Sequence, residues 1–118
     1  MLSEISEGIN VYLITGYTDL RKGVYGLTAY VQSEMKEDPY SGSLYLFCGK
    51  SRRKIKGLMW DGDGFLLLYK RLDNGVYRWP RTEAYARLLT RQEIRWLLEG
   101  LDIDQPKAIK KGSPAVLF

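Results

Sequence analysis

The chain has no histidine and a single cysteine in 118 residues. Without histidine, the commonest general base at neutral pH and the commonest metal ligand are both missing. Cys48 alone can form neither an internal disulfide nor a zinc site nor a Cys–His pair. It sits in an apolar strand pattern, which predicts a buried thiol in a reducing, cytoplasmic setting. Gly-rich phosphate loops are absent too: Gly62 and Gly64 fall in a turn signal, not ahead of a helix. No apolar run reaches membrane-spanning length, and the N-terminus lacks a signal-peptide pattern. Asp61 and Asp63 stand two apart, but Asp-Gly-Asp-Gly lacks the downstream acid of a calcium loop, and turn formation accounts for all four residues. Nothing in the spacing of Asp19, Asp61 and Glu93 makes them an acid triad. No metal, no cofactor and no enzymatic activity are expected.

What is present is clearest from Lys54 to Pro80. Three runs rich in aliphatic and aromatic residues are separated by Asp-Gly-Asp-Gly and Asp-Asn-Gly. Those turn residues supply the positive φ of tight hairpins. The pattern predicts three consecutive antiparallel strands over about Ile55–Trp60, Phe65–Leu72 and Val76–Trp79. With a two-residue Asn74-Gly75 loop, Arg71 lies opposite Arg78; with a three-residue loop, Lys70 lies opposite Arg78. Either register sets two cations against each other, which is destabilising unless they bend into water or an anion sits between them.

Charge is concentrated in the same stretch. Residues 50–81 hold nine of the 18 Lys and Arg and three of the 14 acids, a net of +6, while the rest of the chain nets −2. Such a surface favours a polyanion, or else serves as a solvated face. Trp60, Tyr69, Tyr77 and Trp79 lie among the cations. They can stack on unpaired bases or pack the sheet; Trp79, beside Pro80 and Arg81, is read as the exposed one.

The remainder fits one domain over residues 1–102 with a tail, 103–118, expected to be poorly ordered. A half-buried strand is predicted over Ile9–Thr15. Thr18 reads as a helix N-cap, and Leu20, Val24, Leu27, Val31 and Met35 form one apolar stripe of a helix over about Leu20–Lys36. Arg21 and Lys22 then stand in its first turn. They form an anion site with free N–H groups, or they pair with Asp19. After the Asp38-Pro39 loop, Ser43–Gly49 reads as a central strand covered on both faces. Lys50-Ser51-Arg52-Arg53 reads as a basic hairpin loop. Glu83–Leu89 fits a short helix or a strand. Thr90 with Glu93 is a capping box, and Gly100 a C-terminal stop, for a helix over Arg91–Glu99. The fold class is α+β: an antiparallel sheet of about five strands, a meander of hairpins, with a long helix on one face and a shorter C-terminal helix.

Several segments together resemble a known family. These are Thr18-Asp19-Leu20-Arg21-Lys22-Gly23, Asp38-Pro39-Tyr40-Ser41-Gly42, Lys56 to Phe65, Tyr69-Lys70-Arg71-Leu72, Arg78-Trp79-Pro80 and Leu97 to Asp102. In this order, from about Gly8 to Asp102, the chain resembles the TnpB family, the open-reading-frame-two accessory proteins of insertion-sequence family sixty-six. Cys48 and Lys50-Ser51 stand where members often carry Arg-Gly-Arg, so the basic loop is thinner here. The resemblance implies an accessory role in bacterial DNA transposition beside a separate transposase. It leaves the mechanism to the residues. Two readings stand ahead of an enzyme: a DNA-binding module contacting element ends, and a subunit docking on the transposase, with Val116, Leu117 and Phe118 of the tail as an interaction peptide. The predicted nucleic-acid contacts are Arg21, Lys22, Arg52, Arg53, Lys54, Lys56, Lys70, Arg71, Arg78, Trp79 and Arg81.

Overall fold

A computed structural model describes residues 7–107 and 109. Five strands form one sheet in the order β4-β3-β2-β1-β5. They are β1 (Val11–Ile14), β2 (Leu44–Cys48), β3 (Lys54–Trp60), β4 (Phe65–Arg71) and β5 (Ala86–Leu88). Helix α1 (Val24–Ser33) lies between β1 and β2 in the chain, and α2 (Arg91–Leu98) follows β5.

The sheet is mixed, not purely antiparallel. β1 runs parallel to β2, with Val11 opposite Leu44 and Leu13 opposite Leu46. The cause is α1: a parallel pair needs a crossover, and the helix supplies it. The other neighbours are antiparallel. β2 is buried at every position, as a central strand covered on both faces must be.

Alternation along the strands divides the core in two. On one side Ile14, Tyr45, Phe47 and Leu58 pack with Leu27 and Val31 of α1, joined by Leu20, Val24 and Met35. The predicted stripe thus faces the sheet. On the other side Val11, Leu13, Leu44, Leu46, Cys48 and Ile55 pack with Tyr77, Trp79, Leu89, Ile94, Leu97 and Ile103. Burial there pushes the Cys48 thiol up to about 12. Gly57 is the close-packed point of β3: a Cβ there would stand 3.0 Å from Leu44 Cδ1.

Two expectations change here. Val76–Trp79 is not a strand. Gly75 does turn the chain, at φ 78°. Beyond it the backbone leaves the ladder, and Tyr77 N donates to Arg52 O at 2.8 Å. Burying two large aromatic side chains, each worth up to about 3 kcal/mol, outweighs one more short edge ladder. Helix α1 also starts later than Leu20, with Gly23 as its N-cap and no side-chain cap. Thr18 is instead tied to the neighbouring strand end, its N–H donating to Cys48 O at 2.9 Å.

The C-terminal part follows its local signals. β5 resolves the ambiguity over Glu83–Leu89 as a strand, paired to β1 through Tyr12 and Leu88. Thr15 fixes that approach: its hydroxyl donates to Glu83 O at 2.8 Å and accepts from Tyr85 N at 3.0 Å. The capping box of α2 is complete, with Thr90 Oγ1 accepting from Glu93 N and Glu93 accepting from Thr90 N. The chain remains packed beyond Asp102. Ile103 is 3% exposed, and Asp104 binds Arg87 at 2.8 Å. Val116, Leu117 and Phe118 lie outside the described residues.

Candidate nucleic-acid interface

At the carboxyl ends of the parallel strands β1 and β2, two loops meet. Residues 17–21 follow β1, and residues 49–51 follow β2. Between them lies an open cleft of about 580 Å³, lined by Tyr17, Thr18, Asp19, Leu20, Arg21, Gly49, Lys50, Ser51, Lys54, Lys56 and Tyr69. In open sheets with parallel strands, the crevice outside the carboxyl ends is the usual place for a ligand.

Register explains its charge. Lys54 and Lys56 alternate on the α1 side of β3. Arg71 stands directly opposite Lys54 on β4, and Tyr69 opposite Lys56. A cation pair across the ladder therefore exists, but it is Lys54 with Arg71. The expected pairings of Arg78 with Arg71 or Lys70 do not form, because residues 76–79 are not in the sheet. Like charges set opposite each other disfavour the empty sheet and favour an anion between them.

Lys56 is already engaged. Its ammonium donates to the carbonyls of Leu20 and Lys22, clamping the β1–α1 loop to β3. Among the described residues, Asp19 is the sole acid lining the cleft. Arg21 holds it through Nε at 3.0 Å and a terminal nitrogen at 2.7 Å. The guanidinium keeps that carboxyl far below the usual carboxylate range. Of the two readings of Arg21, pairing with Asp19 is the one observed. Thr18 is buried, and its hydroxyl has no hydrogen-bond partner among the described residues.

The sequence-predicted residues thus divide. Arg21, Lys54 and Lys56 line the cleft, Arg71 adjoins it through Lys54, and Lys22 is joined to it through its carbonyl. Arg52 and Arg53 form the turn beside it, with Arg52 at φ 62°. Lys70 pairs with Ile55, which belongs to the core on the α2 side of the sheet, so Lys70 lies on the opposite face from Lys54 and Lys56. Arg78 lies on the segment crossing that face, around a small hollow with Asp102 and Asp104. Arg81 is exposed on the loop after Pro80. Trp79 overturns the expectation of an exposed stacking ring. It is 4% exposed, and its indole N–H donates to Ile14 O at 2.8 Å. Lys50 and Tyr17 were missed as site residues. Tyr17 sits in a short loop with no signal of its own, and Lys50 was legible only as part of a basic loop; the parallel pairing of β1 and β2 brings the two loops together.

Chemically, the site offers cations, two tyrosines and the hydroxyls of Thr18 and Ser51. No group of three or more His, Cys, Asp or Glu able to hold a metal ion occurs among the described residues. Among them, too, no helix is long and apolar enough to cross a membrane.

Residues 9–108 match the family model described as "IS66 Orf2 like protein". An uncharacterized protein of Sinorhizobium fredii, y4hO, is 36% identical over 101 residues, covering 86% of this chain and 88% of that protein. A second from the same organism, y4jC, is 33% identical over 97 residues, covering 82% and 83%. No solved structure matches significantly.

Proposed function

Because the chain belongs to the IS66 Orf2-like family of insertion-sequence proteins, we propose that it acts in transposition as a non-catalytic DNA-binding module. The face formed by β3, β4 and the loops at the cleft contacts phosphates. One observation carries this reading: Lys54, Lys56 and Arg71 share one side of two paired strands, with Lys50 and Arg21 around the adjoining cleft. The only acid lining that cleft among the described residues is bound by Arg21. A phosphate between Lys54 and Arg71 turns their repulsion into a charge-assisted contact, and the guanidinium fork suits a phosphate's oxygens. Such contacts fix position without reading sequence, so binding is weakly selective among sequences.

The test is affinity for a duplex carrying an element end, measured across salt concentrations. Log affinity should fall linearly with log salt, with a slope near −0.9 for each phosphate neutralised, so about −3 for three or four contacts. No binding at low salt, or a slope near zero, rejects the reading and leaves docking on the transposase as the way this protein serves its element.

A further inference from the structure

Strand β4 closes one edge of the sheet. Its inward and outward backbone groups follow from the register. Leu72 N donates to Arg53 O, and Asp61 N to Gly64 O, both at 2.8 Å. The ladder β3–β4 keeps that register throughout, with Lys54 opposite Arg71 and Trp60 opposite Phe65. The hydrogen-bonded positions of β4 are therefore the even ones. Phe65, Leu67, Tyr69 and Arg71 direct their N–H and C=O groups away from the sheet, and no backbone bond reaches them among the described residues. The edge has no proline, and its seven residues pair without a bulge. It exposes Leu66 at 41%, Leu67 at 36% and Tyr69 at 55%. Natural edges normally blunt such a strand.

We propose that this edge pairs with the same edge of a second copy of the chain, antiparallel, about a two-fold axis at Leu67. The segment from Asp63 to Arg71 is self-complementary in that register. Leu67 meets Leu67 of the other copy, Phe65 meets Tyr69, and Asp63 meets Arg71. These are the outward-directed residues, so each opposed pair can exchange both backbone bonds. On the other face Leu66 meets Leu68, and Gly64 meets Lys70. Shifting the axis by one residue to Leu68 opposes Asp63 to Asp73 and Phe65 to Arg71, and loses both charge and aromatic pairing. At the aromatic end, Phe65 already packs with Trp60 and Tyr40, ring centroids 5.0 and 5.2 Å away, so the incoming Tyr69 extends a cluster in place. The charge match singles out another copy over an unrelated strand: β4 carries acid before its start and cations at its end, as a strand that pairs with itself needs. Two edges of this length bury an area at the low end of specific interfaces, so the dimer is weak and concentration-dependent.

Sedimentation equilibrium on the full chain tests this. Mass should rise from monomer to dimer as concentration increases. Leu67→Pro removes an N–H directed outward, leaves the internal ladder intact, and should hold the chain monomeric with an unchanged circular dichroism spectrum. Asp63→Arg alone and Arg71→Asp alone each set like charges opposite one another and should weaken self-association roughly tenfold. An equimolar mixture of those two variants restores both opposed pairs and should form heterodimers at wild-type strength. A monomer at every concentration overturns the proposal. So does a dimer that survives Leu67→Pro, or a mixture no tighter than its components. If Leu67→Pro fails to fold, the two charge variants and their mixture decide the matter.

Discussion

The indole of Trp79 is buried and donates to a strand carbonyl 65 positions earlier in the chain. Trp79→Phe keeps much of the ring volume and deletes the donor. A hydrogen bond at a buried site, together with the lost ring atoms, should cost about 1–3 kcal/mol, read as a lower midpoint in urea. DNA affinity at fixed salt should not change. A loss of affinity without a loss of stability would return Trp79 to the binding face. The sequence could not reveal this, because an aromatic next to Pro80 and Arg81 has the same local signature whether its ring stacks on a base or fills a core. Lys56 was legible as a cation on β3, but its bonds to Leu20 O and Lys22 O depend on the position of a loop more than 30 residues away.

Among the elements, α2 was the most legible. Thr90, Glu93 and Gly100 form local signals, and local signals survive into the fold. The α1 stripe and the β3–β4 turn were legible for the same reason. The start of α1 was not, because Thr18 serves the β1–β2 junction in place of the helix. Nor was Val76–Trp79, whose extended, aromatic sequence suits a chain crossing a sheet as well as a strand within it. Helix α2 also shows how the 103–104 segment is held. Arg87 bridges Glu93 and Asp104, each at 2.7–2.8 Å. The hydrogen bond from Arg87 lowers the Asp104 pKa below the carboxylate value of 3.8. Its folded pKa is below its unfolded one, so the contribution is present above about pH 4 and fades as pH falls through the folded value. Asp104 is 74% exposed, so solvent screening limits the pair to about 0.2–1 kcal/mol. Asp104→Asn should lower stability by that amount at pH 7. Its difference from the wild type should be smaller in acid, below the folded pKa, than at pH 7. A difference equal at both pH values would mean that the hydrogen bonds, not the charges, matter.

At the scale of the molecule, the sequence showed that positive charge is concentrated but not that it is divided between two faces. The division follows from strand alternation for Lys54, Lys70 and Arg71 and from the path of residues 76–79 for Arg78, and it is open to test. Lys54 and Arg71 share the α1 side, while Lys70 and Arg78 belong to the other. Lys54→Ala or Arg71→Ala should weaken DNA binding by about 1 kcal/mol and flatten the salt slope by about one charge. Lys70→Ala and Arg78→Ala remove the same formal charge and should change affinity less than about threefold, the remainder being long-range attraction screened over a Debye length. Equal losses from all four would mean that net charge, and no particular face, governs binding.

The position of β1 has a consequence for the order in which the molecule assembles. β2, β3 and β4 follow one another through short turns, so their ladders close small loops at little entropic cost. β1 pairs with nothing near it in the chain. Its parallel ladder must enclose residues 15–43, and its antiparallel one residues 15–85. Contacts of such sequence separation are slow to form. The meander is therefore the early-forming part, and β1 enters as a late wedge between β2 and β5. The cleft depends on that entry, since half its wall is the loop leaving β1. Partly folded chains carry the cations of β3 and β4 in nearly their final arrangement, but not the walls of the cleft beside them.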